Sequence, residues 1–221
     1  LFEHGLRFVP DASGLRQESM FGGLLCGRAE PEHWQGSRRS VDFFDAKGTV
    51  ETLCAGARHA LGFEPATHPA LHDGQSARVM LGGQSIGWLG ALHPSLCERF
   101  DLPPMFVFEL DAAVIATENV MQFRGLSAFP CIRRDLALVV KEDVPAGEIL
   151  AAIAQLDLPL LQETRLFDVY RGKGLGENDK SIALGLILRA FDRTLDEKDV
   201  NSVTKAVVDQ LEALFGAKPR Y

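Results

Sequence analysis

Close pairs of cysteines are missing from this sequence. Cys26, Cys54, Cys97 and Cys131 stand far apart, whereas zinc frameworks and disulfide scaffolds need tighter grouping, so the four read as buried, reduced thiols. Long apolar runs are missing too. The longest, such as Ile182-Ala183-Leu184-Gly185-Leu186-Ile187-Leu188, fall far short of the roughly 20 residues that a membrane span needs. No basic-then-apolar leader opens the chain, so a cytoplasmic protein with no membrane partner is expected. The chain begins at Leu1, inside what reads as a strand, and is taken as a piece of something longer. Basic charge is not in excess either. The net charge is −7, with 10 basic against 15 acidic residues through Gly125 and 13 against 15 after it. A bulk electrostatic binder of nucleic acid is thereby excluded, and such a role would have to rest on a local patch. Arg133, Arg134, Arg171, Lys173, Lys180, Arg189 and Arg193, at strand ends and turns, could form one or could be solvated loop charge.

Catalytic constellations are also lacking. In His68-Pro69-Ala70-Leu71-His72-Asp73 the proline breaks the helix that would place the two imidazoles on one face, so they read as loop histidines and no metal site is expected. Gly172-Lys173-Gly174-Leu175-Gly176 resembles a phosphate loop only loosely. Glu177 stands where a dinucleotide fingerprint needs glycine, and Asp179 precedes Lys180 where a Walker loop needs glycine. No serine sits in a nucleophile elbow and no carboxylate pair has an acid–base context. No catalytic residue is assigned.

At 221 residues and 46% apolar composition the chain suits two soluble domains, divided as 1–125 and 126–221. In the first, Leu1 to Val9 and Ser19 to Gly27 read as an antiparallel pair, and Pro31 to Arg39 as a polar loop. Trp34 there reads as a loop anchor, with a partner contact as the other option. A helix is expected over Val41–Leu61 from apolar positions 43, 46, 50, 53, 54, 57 and 61, stopped by Gly62. Ser76 to Leu81 and Ser85 to Leu92, joined through Gly82-Gly83-Gln84, form a hairpin. A short helix over Pro94–Phe100 and a strand over Phe106–Leu110 complete an α+β layer with an antiparallel sheet, and residues near 112 to 128 lead onward.

The second domain begins at Phe129-Pro130, where a basic doublet leads into an alternating apolar run. Strand, helix, long strand, Gly-rich turn, strand, long helix and short tail follow, the ferredoxin-like βαββαβ order. Its helices are expected over Pro145–Leu156 and after Thr194-Leu195-Asp196-Glu197, read as a capping box, with Gly216 as the stop. The last strand carries Pro219 and must lie at an edge. Alternation places Leu136, Leu138 and Val140, Phe167 and Val169, and Ile182, Leu184, Leu186 and Leu188 under the helices. The other face then holds the small residues Ala137, Ser181, Ala183 and Gly185 beside Asp168 and Tyr170. Such a floor suits a flat, hydrogen-bonding ligand such as an unstacked base, unless another domain covers it.

Several motifs stand in order: Phe129-Pro130-x-x-Arg133-Arg134-Asp135-Leu136-Ala137, Leu166-Phe167-Asp168-Val169-Tyr170-Arg171-Gly172, Lys180-Ser181 and Asp192-Arg193-Thr194-Leu195. This half resembles the C-terminal anticodon-binding domain of the bacterial phenylalanyl-tRNA synthetase β subunit. The upstream half is similar to that subunit's class II synthetase-like, catalytically inactive domain through Glu32-His33-Trp34-x-Gly36, Val41-Asp42-Phe43-Phe44-Asp45-x-Lys47-Gly48, His68-Pro69-x-x-His72 and Gly87-x-x-Gly90-x-Leu92-His93-Pro94. The resemblance implies an (αβ)2 enzyme that uses ATP and magnesium to join phenylalanine to its tRNA, with the active site on the α subunit and no cofactor on this fragment. It also implies an anticodon pocket of Ala137, Asp168, Tyr170 and Ser181, with Arg133, Arg134, Arg171 and Lys173 as backbone contacts. A stand-alone ferredoxin-like ligand sensor, or a pure scaffold for a partner subunit, is the alternative.

Overall fold

The computed structural model describes residues 1–12, 14–36, 38–56, 61–116 and 125–220. The chain divides into two compact units, Leu1–Gln122 and Phe123–Tyr221, each described by itself.

In the first unit, β1 (Phe2–Asp11) and β2 (Gly14–Cys26) precede helix α1 (Phe43–Leu53). Then come β3 (Leu61–Pro65), β4 (Leu71–Leu81), β5 (Gln84–Leu92), α2 (Pro94–Phe100), β6 (Met105–Asp111) and the single turn α3 (Ala112–Ile115). The strands form one sheet in the order β1-β2-β6-β5-β4-β3, antiparallel throughout. Ala46, Val50 and Cys54 of the α1 segment pack on Val79, Leu81, Ile86, Leu89, Phe108 and Leu110. Pro10 does not end β1, because that strand is an edge and the proline costs no ladder bond on its open side.

The helix expected over Val41–Leu61 is shorter. It stops at Leu53, and Leu61 and Gly62 belong to β3, paired with Leu81 and Met80. Position 57, counted in that pattern, lies outside the described residues. All four cysteines are free, but Cys26 and Cys131 are exposed. Burial pushes the Cys54 thiol up.

Asp42 caps α1 by accepting from the backbone N–H groups of Phe44 and Asp45, while the Asp42 N–H donates to Asp45 Oδ2 at 2.8 Å. Arg39 grips the same Asp45 carboxylate with both terminal nitrogens, Nη2 at 2.7 Å. That guanidinium, with help from the Asp42 N–H, holds the Asp45 carboxyl down at about 2. A carboxyl lowered in the folded state stabilises it above its ordinary value, and that contribution is lost as pH falls through the folded value. Stability of the first unit is therefore expected to decline between about pH 4 and pH 2 through this group. Asp45→Asn should be less stable at neutral pH and converge with the parent below about pH 2, read by denaturation curves at stepped pH.

In the second unit, β7 (Ile132–Lys141), α4 (Ala146–Ala154), β8 (Leu161–Tyr170), β9 (Asp179–Leu188), α5 (Glu197–Phe215) and β10 (Lys218–Pro219) follow the expected βαββαβ order. The sheet runs β10-β7-β9-β8, with every pair antiparallel. Leu138, Val140, Ile182, Leu184, Leu186 and Leu188 meet Ile149 and Ile153 of α4 and Val203, Val207 and Leu211 of α5 in one core. The capping box of α5 sits two residues later than expected: Asp196 is the cap and Asp199 reciprocates. Thr194-Leu195-Asp196-Glu197 has the right spacing but the wrong phase. Leu195 and Val200, both buried, occupy the two positions of a hydrophobic staple around the true cap. Gly216 closes the helix in the left-handed conformation.

Candidate nucleic-acid interface

Residues directly opposite across an antiparallel ladder point the same way. Ala137 faces Ala183 and Val139 faces Ser181 across β7 and β9. Across β9 and β8, Ala183 faces Asp168 and Ser181 faces Tyr170. All lie on the side away from α4 and α5, whose core takes the intervening Ile182 and Leu184. The four residues expected to form a pocket thus share one face in two adjacent rows, Ala137-Ala183-Asp168 and Val139-Ser181-Tyr170. Asp168 is exposed, Tyr170 is 39% exposed and Ser181 only 5%, so acid and phenol rise beside a sunken hydroxyl.

One expectation fails here. The register slips between Leu166 and Asp168, so Phe167 is a bulge residue and stands with Asp168 opposite Ala183. Instead of packing under the helices, Phe167 turns to the open face, 51% exposed, with the Arg133 guanidinium 5.0 Å from its ring centroid. Leu166 pairs with the buried Leu184 on the helix side. Arg133 reaches the ring by lying flat across Gly185. A Cβ at that glycine would come within 3.1 Å of Arg133 Nε and 3.3 Å of Nη2. Asp135 Oδ1 accepts from the same Nε at 2.7 Å.

Tyr170 has a matching companion. The Arg220 backbone N–H donates to Ala137 O at 2.8 Å, extending β10, and the Arg220 guanidinium lies 4.9 Å from the Tyr170 ring centroid. The Tyr170 hydroxyl donates to Lys173 O at 3.4 Å, seating the ring against the β8–β9 turn. Neither Arg220 nor the bulge was read from the sequence. The proline at 219 marked an edge strand, and that strand's ladder places residue 220 beside Ala137 on the floor.

The four expected backbone contacts are scattered. Arg133 belongs to the open face. Arg134 pairs with Leu186 and so stands on the helix side. Arg171 is held by both carboxylate oxygens of Glu142, with Nη2 at 2.7 Å, which raises the guanidinium pKa and lowers that of the carboxyl. Lys173 is exposed in the turn beside the Tyr170 hydroxyl. Lys180, counted in the basic patch, is instead buried and donates to Glu142 O at 2.7 Å.

In the first unit Trp34 is 94% exposed and does not anchor its loop. On the hairpin β1–β2, Phe2, Leu6 and Phe8 are exposed although they share a face with the buried Phe108 and Leu110. Stacked rings run from that core outward, Phe108 to Phe21 at 6.4 Å and Phe21 to Phe2 at 5.7 Å. His68 and His72 each use Nδ1 to accept from a backbone N–H two residues on. Among the described residues no three His, Cys, Asp or Glu side chains cluster to hold a metal ion.

An acceptor, a ring and a small-residue floor on one exposed sheet face can receive a flat aromatic ligand with paired N–H donors. Comparison with known proteins shows the family of each half. Residues 1–112 match the phenylalanyl tRNA synthetase beta chain CLM domain, and residues 127–220 match the ferredoxin-fold anticodon binding domain. The phenylalanine–tRNA ligase beta subunit of Pseudomonas syringae pv. tomato is 45% identical over the whole chain, and that of Haemophilus influenzae 44%. The Pasteurella multocida beta subunit is 43% identical over 98% of the chain. The chain spans 28% of the length of each of these relatives. It belongs to the phenylalanyl-tRNA synthetase beta chain family.

Proposed function

We propose that this chain is the part of a phenylalanine–tRNA ligase β subunit that supports the catalytic α subunit and binds the anticodon of tRNA(Phe), in an (αβ)2 cytoplasmic enzyme. The observation that carries the reading is the shared open face of Asp168, Tyr170, Ala137 and Ser181 in a unit that matches an anticodon-binding family. Tyr170 offers a ring for the first anticodon base. The carboxylate of Asp168, an acceptor only, suits the N1–H and N2–H2 donors of guanine, a pair that adenine lacks. Ala137 leaves room, and Ser181 supplies a hydroxyl at the floor. ATP and magnesium are assigned to the α subunit, where the family resemblance puts the active site. The supporting role of the first unit rests on its exposed apolar hairpin, the kind of surface that a permanent partner covers. The family match favours this reading over a stand-alone ligand sensor.

The test is binding of the chain to an anticodon stem-loop of tRNA(Phe) and to the same RNA with adenine as its first anticodon base. A bidentate acceptor discriminates by about 1–3 kcal/mol, so guanine should be preferred roughly tenfold, and Asp168→Ala should erase the preference while leaving the adenine RNA unaffected. Equal affinity of the parent chain for both RNAs would defeat the decoding role.

A further inference from the structure

The open face carries two ring–guanidinium pairs, Tyr170 with Arg220 and Phe167 with Arg133, and only the first is used above. We propose that Phe167, backed by Arg133, is a second stacking platform, which takes an unpaired loop base next to the one received by Tyr170. This inference rests on the anticodon-binding reading and names a further contact of the same face.

The spacing along β8 is the starting point. Two residues three apart on a regular strand point to opposite faces. Residues 167 and 170 would do so were it not for the bulge, which sets Phe167 beside Asp168 opposite Ala183. A phenyl ring that alternation would bury is thereby turned to solvent, 51% exposed, while Leu166 and Val169 keep the helix side. Bulges next to binding sites commonly re-aim one side chain in this way.

The cation is held as deliberately as the ring. Gly185 leaves the gap through which Arg133 crosses β9, and Asp135 fixes its Nε. With the guanidinium on one side of the ring, the other side remains for a base, and the guanidinium plane is itself a stacking surface. Phe167 and Tyr170 stand three residues apart on one strand, a backbone separation of at most about 10 Å at roughly 3.3 Å per residue, which neighbouring splayed nucleotides can bridge. Four-stranded sheets that bind single-stranded RNA hold two or three bases on such paired aromatics.

The experiment compares Phe167→Ala, Phe167→Leu, Phe167→Trp and Tyr170→Ala for binding to the anticodon stem-loop, intact and with an abasic site at each neighbour of the first anticodon base in turn. Phe167→Ala and Phe167→Leu should each weaken binding to the intact RNA about tenfold, and Phe167→Trp should restore it. On one of the two abasic RNAs the Phe167 variants should match the parent chain. The Phe167→Leu variant keeps apolar bulk, so a deficit that it shares with Phe167→Ala, at an unchanged melting temperature, reports the lost ring and not a lost fold. If Tyr170→Ala weakens binding and the Phe167 variants do not, the second platform is refuted and the anticodon reading stands. If the Phe167 deficit persists on both abasic RNAs, no neighbouring base stacks there and the proposal is again refuted. If neither position matters, both fall.

Discussion

Tyr170→Ala is expected to weaken binding of the tRNA(Phe) anticodon stem-loop roughly ten- to a hundredfold, the equivalent of the 1–3 kcal/mol carried by one base–aromatic stack. The ring is exposed, its hydroxyl makes one long bond to the Lys173 carbonyl, and its other close partner is Arg220 across the floor. Its removal therefore leaves the core beneath untouched, and the melting temperature should stay close to that of the parent. Tyr170→Phe should bind nearly as well, because stacking needs the ring and not the oxygen. Titration calorimetry at fixed salt separates these outcomes. A shallow salt dependence is expected, since Arg133, Arg165 and Arg171 are already engaged by Asp135, Glu163 and Glu142. Unchanged affinity of Tyr170→Ala would remove the main physical reason for placing a base on this face.

The largest effect on stability is expected from Gly87→Ala. Gly87 sits where β4 and β5 lose register, with φ at 155°, and a Cβ there would stand 1.9 Å from the Glu109 carbonyl oxygen and 2.9 Å from Leu110 Cα. Both obstacles are backbone of β6, in the middle of the sheet, and cannot swing aside as a side chain can. Relief requires parting β5 from β6 above Leu89 and Leu110, both fully buried. Overpacking and local strain together place the cost at about 2–5 kcal/mol. The first unit should unfold at lower denaturant concentration. The second, which has its own core, should keep its melting transition and its affinity for the stem-loop.

How far these features could be read from the residues depends on whether they are local. Helix α2 at Pro94–Phe100 and the β4–β5 hairpin follow from a proline start, a glycine pair and alternation, all short-range signals, and the structure contains both. The βαββαβ order and the shared face of Asp168, Tyr170, Ala137 and Ser181 come from counting by twos along strands. Counting fails where tertiary pairing overrides it. Leu61 and Gly62 fit a helical period as well as a strand and become β3 through their pairing with β4. Phe167 fits an inward position until one extra residue is inserted opposite Ala183. Arg220 was beyond reach for another reason: its partner ring is fifty residues away with two strands between, joined only by the sheet order β10-β7-β9-β8.

The shortness of β10 has a practical side. Only Lys218 and Pro219 make up the strand, while Ala217 just before it is already buried. A variant truncated after Ala217 would lose the cation on the phenol ring without opening the helix-covered interior. Such material would pass a melting assay and still differ at the face that matters, so intact mass is the proper check on sample quality.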